Sequence, residues 1–231
     1  MKTSRLLRAT LAALGGACAL LVASVAHAQS VFAVQLNTSA LIGNAAGPFY
    51  LDFQLNDGTG IGNGNNTAIV SQFNFNGGAP LGGATTFGGV TGSLASSVTL
   101  RDTSAFNEFF QAFTPGSLLS FRLSLTTNAN APTPDLFSFS ILDANLFNIR
   151  TFSPGNSDAL IIANLTGPNL TLNTYAGNGV PLAGATSIAL PAPSAIPVPE
   201  PATYGLIGAA LLGALACYRR RYAASVTPAI C

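Results

Sequence analysis

The sequence predicts an all-β domain over residues 29–190, a jelly-roll-like, two-sheet β-sandwich of about nine strands. Apolar and polar residues alternate in several segments, most clearly in FYLDFQL at residues 49–55. Turn signals such as Asn56-Asp57-Gly58 follow these segments. One open sheet would leave a phenylalanine-rich face in water, so we expect two sheets packed face to face.

The predicted strands are assigned in chain order from their alternation or their apolar character. The sequence letters are VFAVQL near Val31, FYLDFQL at 49–55, IVSQFNF at 69–75, SLASSVTL at 93–100, SFRLSLTT at 120–127 and LFSFSILD at 136–143. Apolar runs near Ala159, Leu170 and Thr186 complete the set. One segment departs from the alternation because its phenylalanines have helical spacing. These are Phe106, Phe109, Phe110 and Phe113. Here we expect a short helix or irregular crossing that caps the sandwich.

Composition limits the classes of partner and of stabilising bond. Charged residues make up 7% of the chain, against roughly 25% in ordinary soluble domains. Between residues 29 and 198 the only cations are Arg101, Arg122 and Arg150. No basic patch is available to bind a polyanion, so nucleic acid is not an expected partner. The same segment contains no cysteine, so packing and hydrogen bonds must hold it together without disulfides.

The N-terminal segment predicts a secretory signal peptide over residues 1–28. Basic residues in MKTSRLLRAT precede a short apolar run, and small residues at Ala26 and Ala28 supply the site for signal peptidase. We therefore expect the secretion machinery as a partner and an exported mature chain that starts near Gln29.

The C-terminal segment predicts a linker, a membrane helix and a short tail. Alternate prolines stiffen a linker over residues 191–197. Residues 202–218 carry no charge and would span about 26 Å as a helix, enough for a thin bilayer. The basic cluster Arg219, Arg220 and Arg221 should stop transfer through the inner membrane. Residues 222–231 would then form a cytoplasmic tail, with the domain on the opposite side.

The tetrapeptide Val198-Pro199-Glu200-Pro201, the apolar helix and the arginines together resemble a PEP-CTERM sorting signal over residues 198–221. The resemblance implies processing by an exosortase in a Gram-negative bacterium that makes exopolysaccharide. It also implies anchoring in the inner membrane, followed by release to the cell surface or the extracellular matrix of a biofilm. The segments FYLDFQLNDGTG, FNEFFQAFTPGSLLSF and PDLFSFSILD are similar to small exported PEP-CTERM proteins whose domain has no assigned biochemical role.

Candidate catalytic groups are few. Residues 29–198 contain no histidine, cysteine, lysine or tryptophan, which removes a Ser-His-Asp relay, a cysteine nucleophile, zinc ligands and Schiff-base chemistry. Paired carboxylates remain, as in glycosidases, and Asp52 with Asp57 would be the pair. We interpret both as solvated strand and turn residues, so no catalytic residue, enzymatic activity or cofactor is expected.

The loop NDGTGIGNGNNT at residues 56–67 is rich in polar oxygens. Asp57, Asn63, Asn65 and Asn66 are candidate calcium ligands, but one carboxylate is few for tight binding. A glycine-rich hairpin loop without a metal is the favoured interpretation, and chelation should then leave the melting temperature almost unchanged.

Two functions remain open at this point. The first is a non-enzymatic structural or adhesive protein of the cell surface or matrix. The alternative is a lectin-like carbohydrate-binding module that retains exopolysaccharide, with or without calcium.

Overall fold

A computed structural model of the protein describes residues 29–127, 133–167, 170–182 and 184–199, together with residues 205, 208–213, 215 and 218. Its strands are β1 (Gln29–Asn37), β2 (Phe49–Asn56), β3 (Thr67–Asn74), β4 (Ala79–Pro80), β5 (Thr85–Phe87), β6 (Gly89–Gly92), β7 (Ser97–Arg101), β8 (Phe106–Thr114), β9 (Leu118–Thr126), β10 (Leu136–Leu142), β11 (Ile161–Asn164), β12 (Asn173–Thr174) and β13 (Ser194–Pro197). Short 3-10 turns lie at Ser39–Leu41 and Pro154–Asn156.

The strands form two antiparallel sheets. The first has the order β13-β1-β9-β3-β7-β6, and the second has the order β12-β11-β10-β2-β8-β4, with β5 also paired to β8. The predicted all-β, two-sheet architecture is thus confirmed, whereas its jelly-roll type stays a prediction. The described residues form thirteen strands instead of the expected nine, largely because strands of two to four residues are too short to show alternation. The strand predicted near Thr186 does not form, since residues 186–190 have no strand structure.

The core lies between the two sheets and is rich in phenylalanine. On β2, the alternate residues Phe49, Leu51, Phe53 and Leu55 face inward and are buried. The Phe53 ring lies 5.0 Å from Phe139 within its own sheet and 5.6 Å from Phe121 in the opposite sheet. Rings from both sheets thus meet at Phe53, so this residue marks the centre of the sandwich.

The helical segment expected at residues 106–113 is a strand, β8, so that prediction is wrong. Its burial alternates, with Asn107, Phe109, Gln111 and Phe113 facing inward. Asn107 and Gln111 are polar residues at inward positions, so the sequence of this strand does not show an alternation of apolar and polar residues. The Gln111 side chain accepts the Leu94 N–H at 2.9 Å and donates to the Gly82 carbonyl at 2.8 Å, so its burial satisfies backbone groups.

Strand β3 changes its inward side at a bulge. Ala68 and Val70 face the core in its first half, and pairing with β9 shifts register between Ser71 and Asn74. Gln72 has a φ of 56° at this point. One inserted residue reverses the alternation. Phe73 therefore packs against Phe53 and the rest of the core instead of facing solvent.

The predicted linker over residues 191–197 contains strand β13, which pairs antiparallel with β1 at the edge of the first sheet. An edge position tolerates proline because one side of the strand needs no partner. This part of the segment therefore belongs to the sandwich and is not a separate spacer.

The two predicted targeting segments lie largely beyond the described residues. The signal peptide, with Ala26 and Ala28, falls outside them. In the C-terminal segment, residues 205, 208–213, 215 and 218 are helical. No helix formed by the described residues has both the length and the hydropathy required to span a bilayer.

Candidate metal centre and sorting segment

Three loops meet at one end of the sandwich. They are the β2–β3 loop, the β7–β8 loop and the part of the β9–β10 loop at residues 133–135. Strand register brings them together, because Asn56 at the end of β2 pairs with both Phe106 of β8 and Leu136 of β10. Thr67 at the start of β3 likewise pairs with Arg101 at the end of β7. Residues distant in sequence therefore enter one small region.

Two glycines allow the loops to approach each other closely. A Cβ atom on Gly58 would lie 2.4 Å from the Thr133 carbonyl oxygen. On Gly62, whose φ is +73°, a Cβ atom would lie 2.5 Å from the Thr103 carbonyl carbon. Any side chain at either position would separate the backbones, so glycine is needed for this loop arrangement.

Three carboxylates meet where these loops touch: Asp57, Asp102 and Asp135. One oxygen from each lies within 4.8 Å of the others. Their exposed fractions are 7%, 0% and 2%, so the cluster is almost entirely shielded from water. We refer to these three side chains as the aspartate cluster.

Hydrogen bonds fix two members of the aspartate cluster. Asp57 Oδ1 accepts the Thr59 N–H at 2.7 Å, the Gly60 N–H at 2.9 Å and the Thr59 hydroxyl, while Oδ2 accepts the Asn63 N–H at 3.0 Å. Burial raises the pKa of Asp57, but these donors outweigh it and hold that pKa below its usual value.

Asp135 is held in the same manner. Its Oδ1 accepts the Gly58 N–H at 2.9 Å, and its Oδ2 accepts the Asn66 side-chain amide at 2.7 Å. Asn66 is itself buried, and its amide oxygen accepts the Thr126 hydroxyl at 3.3 Å. The orientation of Asn66 therefore directs its NH₂ group at the cluster.

Asp102 differs from the other two. Its Oδ1 accepts the Asn66 N–H at 3.0 Å, but its buried Oδ2 has no hydrogen-bond partner among the described residues. Burial and the adjacent Asp135 carboxyl raise the pKa of Asp102 to about 6. A buried carboxylate oxygen without a donor is costly, and such a group calls for a specific explanation.

The structure brings together some of the predicted calcium ligands and separates others. Asp57 and Asn66 lie at the cluster, whereas the exposed Asn63 and Asn65 use their side chains within the loop. Sequence analysis missed Asp102 and Asp135. They lie 36 and 69 residues from Asn66, and no local spacing signals such a contact.

A second buried carboxylate lies on the outer face of the second sheet. Asp52 is 1% exposed, and its Oδ1 has no hydrogen-bond partner among the described residues. The Gln54 amide donates to Asp52 Oδ2 at 2.9 Å and to Glu108 Oε1 at 3.0 Å. Burial, and then repulsion from Glu108, raises the pKa of Asp52 to about 8. Burial also raises the pKa of Glu108.

The interpretation of Asp52 and Asp57 as solvated residues is therefore wrong, since both are buried. They also have different partners, because Asp52 bonds to Gln54 whereas Asp57 belongs to the aspartate cluster. The two carboxylates do not form the facing pair that a glycosidase would use.

The predicted sorting motif begins directly at the sandwich. The Val198 N–H donates to the Val31 carbonyl at 2.7 Å, which continues the pairing of β13 with β1. Val198 and Pro199 line a cleft of about 350 Å³ together with residues 29–32. Glu200, Pro201 and the arginines Arg219, Arg220 and Arg221 lie outside the described residues.

Comparison with known protein families matches residues 197–221 to the PEP-CTERM protein-sorting motif. Comparison with curated proteins finds no match, and comparison with solved structures finds none either. The matched residues coincide with the sorting signal expected at 198–221. The motif implies export and exosortase-dependent sorting, with an exosortase as processing partner. The chain thus carries this sorting motif and is a PEP-CTERM domain-containing protein.

Proposed function

We propose that the protein is a non-enzymatic structural or adhesive component of the cell surface or exopolysaccharide matrix, placed there by an exosortase. The observation that carries this proposal is the sorting motif at residues 197–221, joined through β13 to a β-sandwich. The lack of histidine, cysteine and lysine in residues 29–198 supports a non-enzymatic role, since most nucleophiles and general bases are missing.

The attachment of the motif to the sandwich supports exosortase processing close to the domain. Strand β13 holds the chain extended at the edge of the first sheet, and Val198 continues that extended course. Pro199 is exposed. A processing enzyme would meet an extended, proline-stiffened backbone at the exit from the folded domain, with little loss of conformational entropy on binding.

The decisive experiment is fractionation of the producing bacterium. Pro199, Glu200 and Pro201 are replaced together by alanine, and the domain and a tag after Arg221 are followed by blotting. We expect the altered chain to keep its insertion and orientation, since the arginines are unchanged. It should remain unprocessed in the inner membrane, whereas the native domain is released and becomes accessible to protease added outside the cells.

Pro191→Ala is the matched control, because Pro191 is an exposed proline that lies before β13 and outside the motif. It should be processed like the native chain. Equal size and distribution of the native and triple-alanine chains would show that the motif is not read, and would remove the basis for a surface role.

A carbohydrate-binding role is the second candidate, favoured by the outer face of the second sheet. The rings of Phe87, Phe110 and Tyr50 form a row with centroid spacings of 6.4 and 6.1 Å. Phe87 is 51% exposed. Gln54 and Glu108 lie on the same face, where they could hydrogen-bond sugar hydroxyls while the apolar faces of sugar rings contact the aromatic row.

This role is tested by co-sedimentation of the full-length chain with exopolysaccharide from the producing bacterium. Phe87→Ala should weaken co-sedimentation, whereas Phe152→Ala, which alters a 64% exposed phenylalanine outside the row, should not. Equal binding of both variants and the native chain would argue against this face as a glycan site.

A further inference from the structure

We propose that the aspartate cluster of Asp57, Asp102 and Asp135 binds one Ca²⁺ ion that joins the three loops at the end of the sandwich. This inference goes beyond the structural or adhesive role proposed above. It also reverses the expectation from the sequence, which counted only one carboxylate in this region.

The first argument is charge. Three carboxylates with oxygens within 4.8 Å of one another are buried together, and the donors that contact them are neutral amides and a hydroxyl. Burying like charges this close is unfavourable unless a cation compensates them or one carboxyl takes up a proton. The hydrogen bonds keep Asp57 and Asp135 in place and leave further lone pairs on their oxygens, since each carboxylate has about four acceptor sites.

The second argument is independent of the number of acids. Asp102 is 0% exposed, and its buried Oδ2 has no hydrogen-bond donor among the residues that the structure describes. Its other oxygen is already oriented by the Asn66 N–H. Such an oxygen is held in place, is shielded from water and has a free lone pair. It is therefore suited to a metal ion, which binds by accepting a lone pair.

The chemistry of the donors selects the class of metal. All candidate ligands are hard carboxylate oxygens, and residues 29–198 contain no histidine or cysteine, so zinc and copper are poor fits. Calcium binds oxygen at about 2.3–2.6 Å, so ligands on opposite sides of one ion lie up to about 5 Å apart. The cluster falls within that span. Magnesium requires stricter octahedral geometry at about 2.0–2.1 Å and gives up its bound water reluctantly, so it is less suited to a site walled by protein.

The surrounding residues form an outer shell that positions the ligands. Thr59 and Asn63 hold Asp57, and Asn66 holds both Asp102 and Asp135. Because the Asn66 NH₂ group points at Asp135, we assign Asn66 as a positioning residue and not as a ligand. The ion would cross-link loops in a domain that has no cysteine for disulfides.

The test uses the full-length chain, purified in detergent, stripped with EDTA and dialysed. Titration calorimetry should show one Ca²⁺ per chain. At about 100 times the dissociation constant, Ca²⁺ should raise the melting temperature by about 5–10 °C. Mg²⁺ at the same concentration should give a clearly smaller shift.

Asp102→Asn and Asp135→Asn should each abolish the calcium-dependent shift. Asp143→Asn is the control and should keep it, because Asp143 is also buried but bonds to the Asn145 and Phe147 amides and to Thr186, away from the cluster. In EDTA, Asp102→Asn should melt no lower than the native chain, since it removes an uncompensated charge without changing shape. That readout separates lost binding from misfolding.

Three results would overturn the proposal. The first is a native chain whose melting temperature and titration heats do not change with Ca²⁺ up to about 10 mM. That concentration is about 10 times the dissociation constant of a weak extracellular calcium site, about 1 mM. The second is unchanged Ca²⁺ binding in both aspartate variants. The third is an equal shift with Mg²⁺, which would refute the assignment to calcium.

Discussion

Replacing Asp52 by asparagine should flatten the dependence of stability on pH. Asp52 lies on the outer face of β2, directly opposite Phe110 on β8 and Ser140 on β10, and its side chain is buried. Burial raises its pKa from 3.8 to about 8, with repulsion from Glu108 as the next cause. The folded chain therefore keeps the proton over a range in which the unfolded chain has lost it.

The sign and size follow from proton linkage. Because the folded state binds one more proton between about pH 4 and pH 8, the free energy of unfolding falls as pH rises through that range. The slope is about 1.4 kcal/mol per pH unit for one proton. From pH 5 to pH 7 the native chain should lose about 2.5 kcal/mol through Asp52 alone. The asparagine variant has no such contribution.

Urea denaturation followed by circular dichroism at pH 5, 6 and 7, in EDTA, measures this effect. The free energy of unfolding of Asp52→Asn minus that of the native chain should grow by about 2.5 kcal/mol across the range. Effects of Asp102, whose pKa is also raised, cancel in this difference because both chains contain it. Ser140→Ala changes the packing opposite Asp52 without removing a titrating group, and its difference should stay constant. Parallel profiles for Asp52→Asn and the native chain would refute the reasoning.

Three further changes test packing, backbone approach and a buried hydrogen-bond network, each by urea denaturation. Phe53→Ala should cost about 3–5 kcal/mol because its fully buried ring contacts both sheets, whereas Phe152→Ala, at a 64% exposed site, should stay within about 0.5 kcal/mol. Gly78→Ala should clearly destabilise the fold, since its Cβ would lie 2.0 Å from a backbone carbonyl oxygen. In the control Gly83→Ala, the Cβ meets no atom within 4 Å, so this change should be neutral or stabilising by up to about 1 kcal/mol. Asn107→Ala should lower the free energy of unfolding by about 2–4 kcal/mol, because it leaves the buried groups bonded to that side chain without partners. A decrease of less than about 1 kcal/mol would contradict this reasoning.

Period-two patterns in the sequence were sufficient to predict many strands and core residues of the sandwich. Strands β2, β9 and β10 and the core residues Phe53, Phe121 and Phe139 follow from alternation alone, since one face of each strand must be buried. The sorting motif was also readable from the chain, because it is a contiguous pattern that depends on no tertiary contact.

Strand β8 shows where local patterns fail. Asn107 and Gln111 occupy inward positions that alternation assigns to apolar residues. Asn107 donates to the carbonyl oxygens of Leu55 and Ser104 and accepts the Gly89 N–H, so its burial satisfies backbone groups of three other segments. Those partners are identified only when the strands are assembled, and without them a polar residue at a core position looks like evidence against a strand.

The sequence by itself determined the all-β character, the apolar faces of the main strands, and the sorting motif, because each depends on neighbours within about ten residues. Only the tertiary structure decided which acids meet. Asp57 directly follows β2, Asp102 directly follows β7 and Asp135 directly precedes β10, and the antiparallel register of β2 with β8 and β10 places these positions at one end. Such register is set by side-chain packing across the sheet, so a contact between residues this far apart leaves no periodic trace in the chain.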